Sequence, residues 1–215
     1  MDIEEENICA LRQQFKETGI VQLRNVLPKA SALKLAKTFI DSSEGANVYV
    51  PEKGRTAHSE LNAGQGDNKH VAFDRFLTDK IAPELGAIYR SKAPLLSSIV
   101  GNEVLTSPYE RSAYYIKLYN PPDSQQGWHF DTNSLTVVFY LTDNPDDGFT
   151  EIVNKNDETI LIPPEAGTIL LFDGHSLLHR SQAVCSTHKV TCIMDYFYPG
   201  HGDRKPYLNS LIFGD

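Results

Sequence analysis

The stretch Gly127-Trp128-His129-Phe130-Asp131 puts an imidazole and a carboxylate two residues apart, immediately before the apolar run Leu135 to Leu141. In an extended strand, residues i and i+2 share one face. His129 and Asp131 therefore point the same way while Phe130 packs behind them. One histidine and one carboxylate are two of the three protein ligands of a non-haem Fe(II) site with open coordination positions. The third must come from elsewhere in the chain. The tripeptide alone is a weak signal, because His201-Gly202-Asp203 repeats it. That copy lies between Pro199-Gly200 and Arg204-Lys205-Pro206, where no strand period would aim two side chains together.

Two later histidines compete for the third position. After the Asp173-Gly174 turn, strand parity puts His175, Leu177, His179, Ser181 and Ala183 on one face, so parity does not separate His175 from His179. Position does: His175 is at the turn, whereas His179 is one layer inside, where a ligand can be held rigidly. Ten residues further on comes Lys189, with Thr191 on the same face of the next strand. A lysine inside a barrel is unfavourable unless an anion neutralises it. This pair calls for an anionic ligand.

With these elements in place, the C-terminal half resembles the iron(II)- and 2-oxoglutarate-dependent dioxygenase superfamily. His129-Phe130-Asp131 matches its H-x-D motif. Gly167-Thr168-Ile169-Leu170-Leu171-Phe172-Asp173-Gly174, leading to His179, matches its distal histidine strand. Lys189-Val190-Thr191 stands where the superfamily usually has Arg-x-Ser, and a lysine there offers a point charge in place of a bidentate fork.

The resemblance covers about residues 104–198 and implies a double-stranded β-helix of jelly-roll, cupin-like type. It implies Fe(II) held by His129, Asp131 and His179, with 2-oxoglutarate and O2 as cosubstrates converted to succinate and CO2. Lys189 and Thr191 would grip the far carboxylate of 2-oxoglutarate, and Tyr115 and Tyr119, on one strand face with Lys117, would reach the same cosubstrate. Halogenating members lack the aspartate because chloride takes its place; Asp131 is present, so hydroxylation of an unactivated C–H is the expected reaction. The alternatives are a non-oxidative cupin-like metal protein, such as an isomerase or sensor, and a hydroxylase acting on a protein side chain.

The elements that must position these residues divide the chain in two. Residues 1–103 read as helical support. Ile8, Leu11 and Phe15 recur at helical spacing before Gly19, and Ile20 to Leu23 reads as a short strand. Pro28 opens a helix to about Ile40. Phe73, Phe76, Leu77 and Ile81 return to helical spacing, which breaks at Pro83, resumes around Leu85, Ile88 and Tyr89, and is closed by Pro94 and Gly101.

Between them, residues 41–70 are polar and glycine-punctuated. A connection this long inside a compact domain suggests a lid, with Arg55 and His58 as substrate contacts and Glu60 beside them. From 104 to 198 about eight strands alternate with turns, and 199–215 is a tail, giving one mainly β domain with N-terminal helices over residues 1–215.

Composition limits the partners. The 215 residues carry a formal net charge of −8, which argues against a nucleic-acid or anionic-membrane surface and leaves a small molecule as the expected substrate. Three cysteines are too few for a disulfide framework or zinc cluster, the acidic opening Met1 to Glu6 lacks the features of a signal peptide, and no apolar run is long enough to span a bilayer. The expected location is the cytoplasm.

Overall fold

The computed structural model describes residues 5–43, 70–200 and 213. The lid expected at 41–70, with Arg55, His58 and Glu60, lies almost wholly outside the described residues, as do His201 and Asp203.

In chain order the elements are α1 (Glu5–Thr18), β1 (Ile20–Leu23), α2 (Lys29–Ser43), β2 (Val71–Phe73), α3 (Arg75–Ile81), α4 (Pro83–Val100) and β3 (Leu105–Thr106). There follow β4 (Tyr114–Tyr119), β5 (Ser124–His129), β6 (Leu135–Tyr140), β7 (Thr150–Val153), β8 (Thr159–Ile162), β9 (Ile169–Phe172), β10 (His179–Val184) and β11 (Lys189–Phe197). All strand pairs are antiparallel. The larger sheet runs β1-β9-β6-β11-β4-β2, with β3 on the end of β11; the smaller runs β5-β10-β7-β8. Two sheets whose strands alternate along the chain in this way form the expected double-stranded β-helix.

The larger sheet is buried on both faces: every residue of β4, β6 and β11 is buried, and the runs are apolar except for the inward Lys117, Thr136, Lys189, Thr191 and Asp195. Phe139, Leu171, Cys192 and Met194 face the helices and pack with Phe15, Phe39, Leu85 and Leu96. Side chains of the opposite parity, among them Val138, Leu170, Phe172 and Ile193, face the smaller sheet and join Ile152 and Ile162. The space between the sheets is where the polar residues gather.

Two expectations change in the helical half and one holds. Phe73 belongs to strand β2, and Phe76 is 52% exposed. Asp74 separates strand from helix, because its carboxylate accepts the Leu77 N–H (3.0 Å) as the N-cap of α3. The break expected at Pro83 is present: α3 ends at Ile81, and Pro83 starts α4 at a position where its missing N–H is harmless. Pro94 lies inside α4, which continues to its left-handed cap at Gly101. Buried Leu85, Tyr89, Leu96 and Ile99 hold the helix across the proline.

Candidate active site

Sheet register lays out the interior of the barrel. Along β11 the inward residues are Lys189 beside Tyr119, then Thr191 between Lys117 and Tyr140, then Ile193 between Tyr115 and Val138, then Asp195 beside Thr136. The smaller sheet closes over this face with His129 at the end of β5 directly opposite His179 at the start of β10. The cavity between the sheets encloses about 400 Å³, its open mouth included. That is the scale of a small-molecule site.

His129, Asp131 and His179 each turn a ligand atom to a common point, all within 4.8 Å of one another. The two rings lie 4.2 Å apart, and Asp131 is 3.5 Å from His129 Nε2 and 3.2 Å from His179 Nε2. Backbone carbonyls can only accept. The Nδ1 contacts to Gly127 O (2.7 Å) and Leu177 O (2.8 Å) therefore place a proton on each Nδ1 and leave each Nε2 facing inward as a lone pair in the neutral ring.

Burial, with repulsion from His179, lowers the His129 imidazole to about 4. Burial alone would raise the Asp131 carboxyl, but the two imidazoles outweigh it and hold the group well below the usual carboxylate range. Two lone pairs and a carboxylate at this separation repel one another unless a cation lies between them. The donor set of two imidazoles and one carboxylate suits a divalent transition metal. His175 stays at the turn, exposed, its Nδ1 3.3 Å from the Asp131 carbonyl.

Asp131 lies two residues past the end of β5, so strand pairing alone does not hold it. Its N–H donates to Gly174 O (2.8 Å), the Thr136 hydroxyl donates to its carboxylate, and Asn133 Nδ2 donates in turn to Thr136 Oγ1 (2.8 Å). Gly174 makes this approach possible, because a Cβ there would fall 2.6 Å from Asp131 Oδ2 and also onto the Thr136 hydroxyl. Overpacking of this kind costs about 1–3 kcal/mol. Gly174→Ala is expected to displace the carboxylate and weaken Ni(II) binding about tenfold or more by calorimetric titration; unchanged affinity would remove Gly174 from the site.

Lys189 is 1% exposed. Its ammonium donates to Gly148 O (2.6 Å) and Ser181 Oγ (2.8 Å) and stands over the Tyr119 ring at 5.2 Å. Gly148 adopts a left-handed φ of 64°, and a side chain there would strike Val184. No carboxylate pairs with Lys189 among the described residues. Burial, then repulsion from Lys117, pulls it down to about 7. Beside it, Thr191 Oγ1 is buried without a hydrogen-bond partner among the described residues. Tyr119 thus stands with Lys189, as expected, whereas Tyr115 lies further along, beside Ile193 and edge-on to Phe213 at 5.4 Å.

Several interior polar groups were not singled out from the sequence. Gln126 reaches His129, and His70 is buried with its ring 5.4 Å from Tyr119 and its Nδ1 without a partner among the described residues. Asp195 is 4% exposed and its carboxyl makes no hydrogen bond among the described residues. Burial and the Asp131 charge push that carboxyl well above its usual range, against the pull of Lys117. Counting by twos from Lys189 would have found Asp195.

A double-stranded β-helix of this form is the fold of the 2-oxoglutarate- and iron(II)-dependent oxygenases, and solved structures of that kind are similar to it. The epimerase SnoN from nogalamycin biosynthesis superposes with a TM-score of 0.70 at 14% identity, covering 96% of this chain and 90% of its own. SnoN has also been seen with Fe3+, α-ketoglutarate and nogalamycin RO. AviO1 from Streptomyces viridochromogenes Tue57 gives 0.67 at 18% identity (92% and 98% covered), and a Pseudomonas putida prolyl-4-hydroxylase 0.63 at 14% (89% and 98%). No curated protein matches the sequence significantly. The chain belongs to the Halogenase D family, whose model matches residues 3–158. That match takes in His129 and Asp131 and ends before His179 and Lys189.

Proposed function

We propose that this protein is an Fe(II)- and 2-oxoglutarate-dependent oxygenase that hydroxylates a C–H bond of a small molecule. His129, Asp131 and His179 would hold the iron, and Lys189 with Thr191 would receive the distal carboxylate of 2-oxoglutarate. The observation that carries this reading is the buried Lys189 ammonium, matched to neutral acceptors only and set beside an unpartnered threonine hydroxyl. A carboxylate satisfies both at once. A metal-binding cupin without oxidative chemistry has no use for that pair. When bound, iron and 2-oxoglutarate supply the O2-dependent oxidation, with succinate and CO2 as co-products. The chain's own part is to orient the ligands through Gly127, Leu177 and Thr136, to neutralise the carboxylate and to exclude water between two apolar sheets.

Two features support an amino acid or similar metabolite as substrate. Lys117, whose ammonium burial lowers to about 8 and which donates to Gln126, and Asp195, whose carboxyl burial raises, lie on the same inner face, on either side of the Tyr115–Ile193 pair. A molecule carrying both an anionic and a cationic group would satisfy the two together. Among the described residues no helix is long and apolar enough to cross a membrane.

The test is anaerobic titration with Fe(II) and then 2-oxoglutarate, in which a metal-to-ligand charge-transfer band should appear; its absence would defeat the proposal. Family membership raises halide transfer as a second reading, but the Asp131 carboxylate fills the position a halide would need. Turnover is expected to yield succinate and hydroxylated product at a rate unaffected by chloride. A chlorinated product would reverse this assignment.

A further inference from the structure

The metal-facing nitrogen of His129 already has a partner. Gln126 Nε2 lies 2.9 Å from His129 Nε2, while Gln126 Oε1 lies 2.7 Å from Lys117 Nζ and 3.4 Å from the Tyr119 hydroxyl. The polarity of this chain of contacts is fixed at both ends. An ammonium only donates, so the oxygen of the amide must face Lys117 and its N–H must face His129. At the other end the Gly127 carbonyl holds the proton on His129 Nδ1, so Nε2 is the acceptor. Gln126 can reach this point because the pairing of β5 with β10 slips: two steps on β10, His179 to Ser181, match three on β5, His129 to Gln126. The extra residue turns Gln126 onto the inner face, which regular alternation would deny it.

One lone pair cannot serve an amide N–H and a metal ion together. Resting on the assignment of His129 as a metal ligand, we infer that Gln126 is a gate residue: its amide occupies His129 Nε2 and must swing off for metal to enter, with Lys117 setting the tension of the gate. The side chain that moves remains tethered through Oε1 to Lys117. Its freed N–H then stays beside the metal centre as a donor. An anionic group that draws the Lys117 ammonium toward itself loosens the tether, so an anion near Lys117 and the metal favour each other's binding.

Zn(II), which is diamagnetic, makes the movement visible. Full-length, metal-free protein labelled with 15N is titrated with Zn(II), and the Gln126 side-chain NH2 resonances are identified by their loss in Gln126→Asn. In wild type these resonances are expected to start downfield, as befits a donor to imidazole nitrogen, and to move upfield as Zn(II) binds. Gln126→Asn, whose shorter amide no longer reaches His129 Nε2, is expected to bind Zn(II) roughly three- to tenfold more tightly, the scale of one net hydrogen bond. Gln126→Leu serves as the second variant if the asparagine protein misfolds. Side-chain resonances that stay put on Zn(II) binding, or folded variants that bind Zn(II) no more tightly than wild type, would overturn the gate. A wild-type protein that takes up no Zn(II) would instead defeat the metal assignment beneath it.

Discussion

Replacing Lys189 with alanine is expected to lower the affinity for 2-oxoglutarate by about two to four orders of magnitude while metal binding survives. The ammonium is fully enclosed, and its acceptors Gly148 O and Ser181 Oγ are neutral. A carboxylate arriving there forms an ion pair shielded from water. Removing one partner of such a pair leaves the other buried and unpaired, a loss of roughly 3–5 kcal/mol.

Proton linkage gives the prediction a second signature. Without an anion, burial brings Lys189 to about 7. Below that pH the lysine is already charged and binding is at its strongest. Above it the lysine must take up a proton to bind, so affinity should fall as pH rises. Calorimetry at pH 8 in buffers of different ionisation enthalpy should then show proton uptake, and Lys189→Ala should lose it. Equal affinities for wild type and variant would remove Lys189 from this role.

Strand count and the inner face of β11 were legible because period-two alternation survives in antiparallel sheets. The eight strands expected after residue 104 correspond to β4 through β11, with the expected start of β10 trimmed from His175 to His179. Parity also placed Asp131 beside His129, although the strand ends at His129. What holds Asp131 is tertiary: the Gly174 carbonyl, the Thr136 hydroxyl and the room left by a missing Cβ. None of these contacts follows from local pattern. The same rule would have turned Gln126 away, because a slip in pairing depends on the partner strand and leaves no periodic mark. In the helical half, Phe73 and Phe76 fit a helical spacing by coincidence. Asp74, a good N-cap between them, was the residue that marked the true boundary.

The inner charges make sense only as a set. Lys117 and Lys189 offer positive charge and Asp131 negative charge, while burial favours the neutral form of the Asp195 carboxyl, on surfaces from which water is largely excluded. Such groups are tolerated when ligands complete their pairing, and each is costly alone. Asp131 facing two imidazoles is suited to a metal cation, and Lys189 with Thr191 to a carboxylate. Lys117 and Asp195 are left for the proposed substrate, whose cationic group would draw the Asp195 carboxyl back to its charged form while its anionic group pairs with Lys117.

The choice between His175 and His179 carries the other large effect. Both lie near Asp131, yet only His179 turns a nitrogen toward the carboxylate, at 3.2 Å, from a ring that is 5% exposed and braced by Phe172 at 4.7 Å. His175 is exposed, and among the described residues its ring meets the Asp131 backbone carbonyl. Disturbing the outer partners of a metal-bound histidine typically weakens metal affinity by about 10–100-fold, so loss of a ligand should exceed that. His179→Ala is therefore expected to lower Ni(II) affinity by more than about a hundredfold, with His179→Gln, closer in volume, separating ligand loss from loss of packing. His175→Ala should stay within a few-fold of wild type. Calorimetric titration of the metal-free proteins decides the matter: a His175 variant that loses nickel beside a His179 variant that keeps it would move the third ligand to the turn.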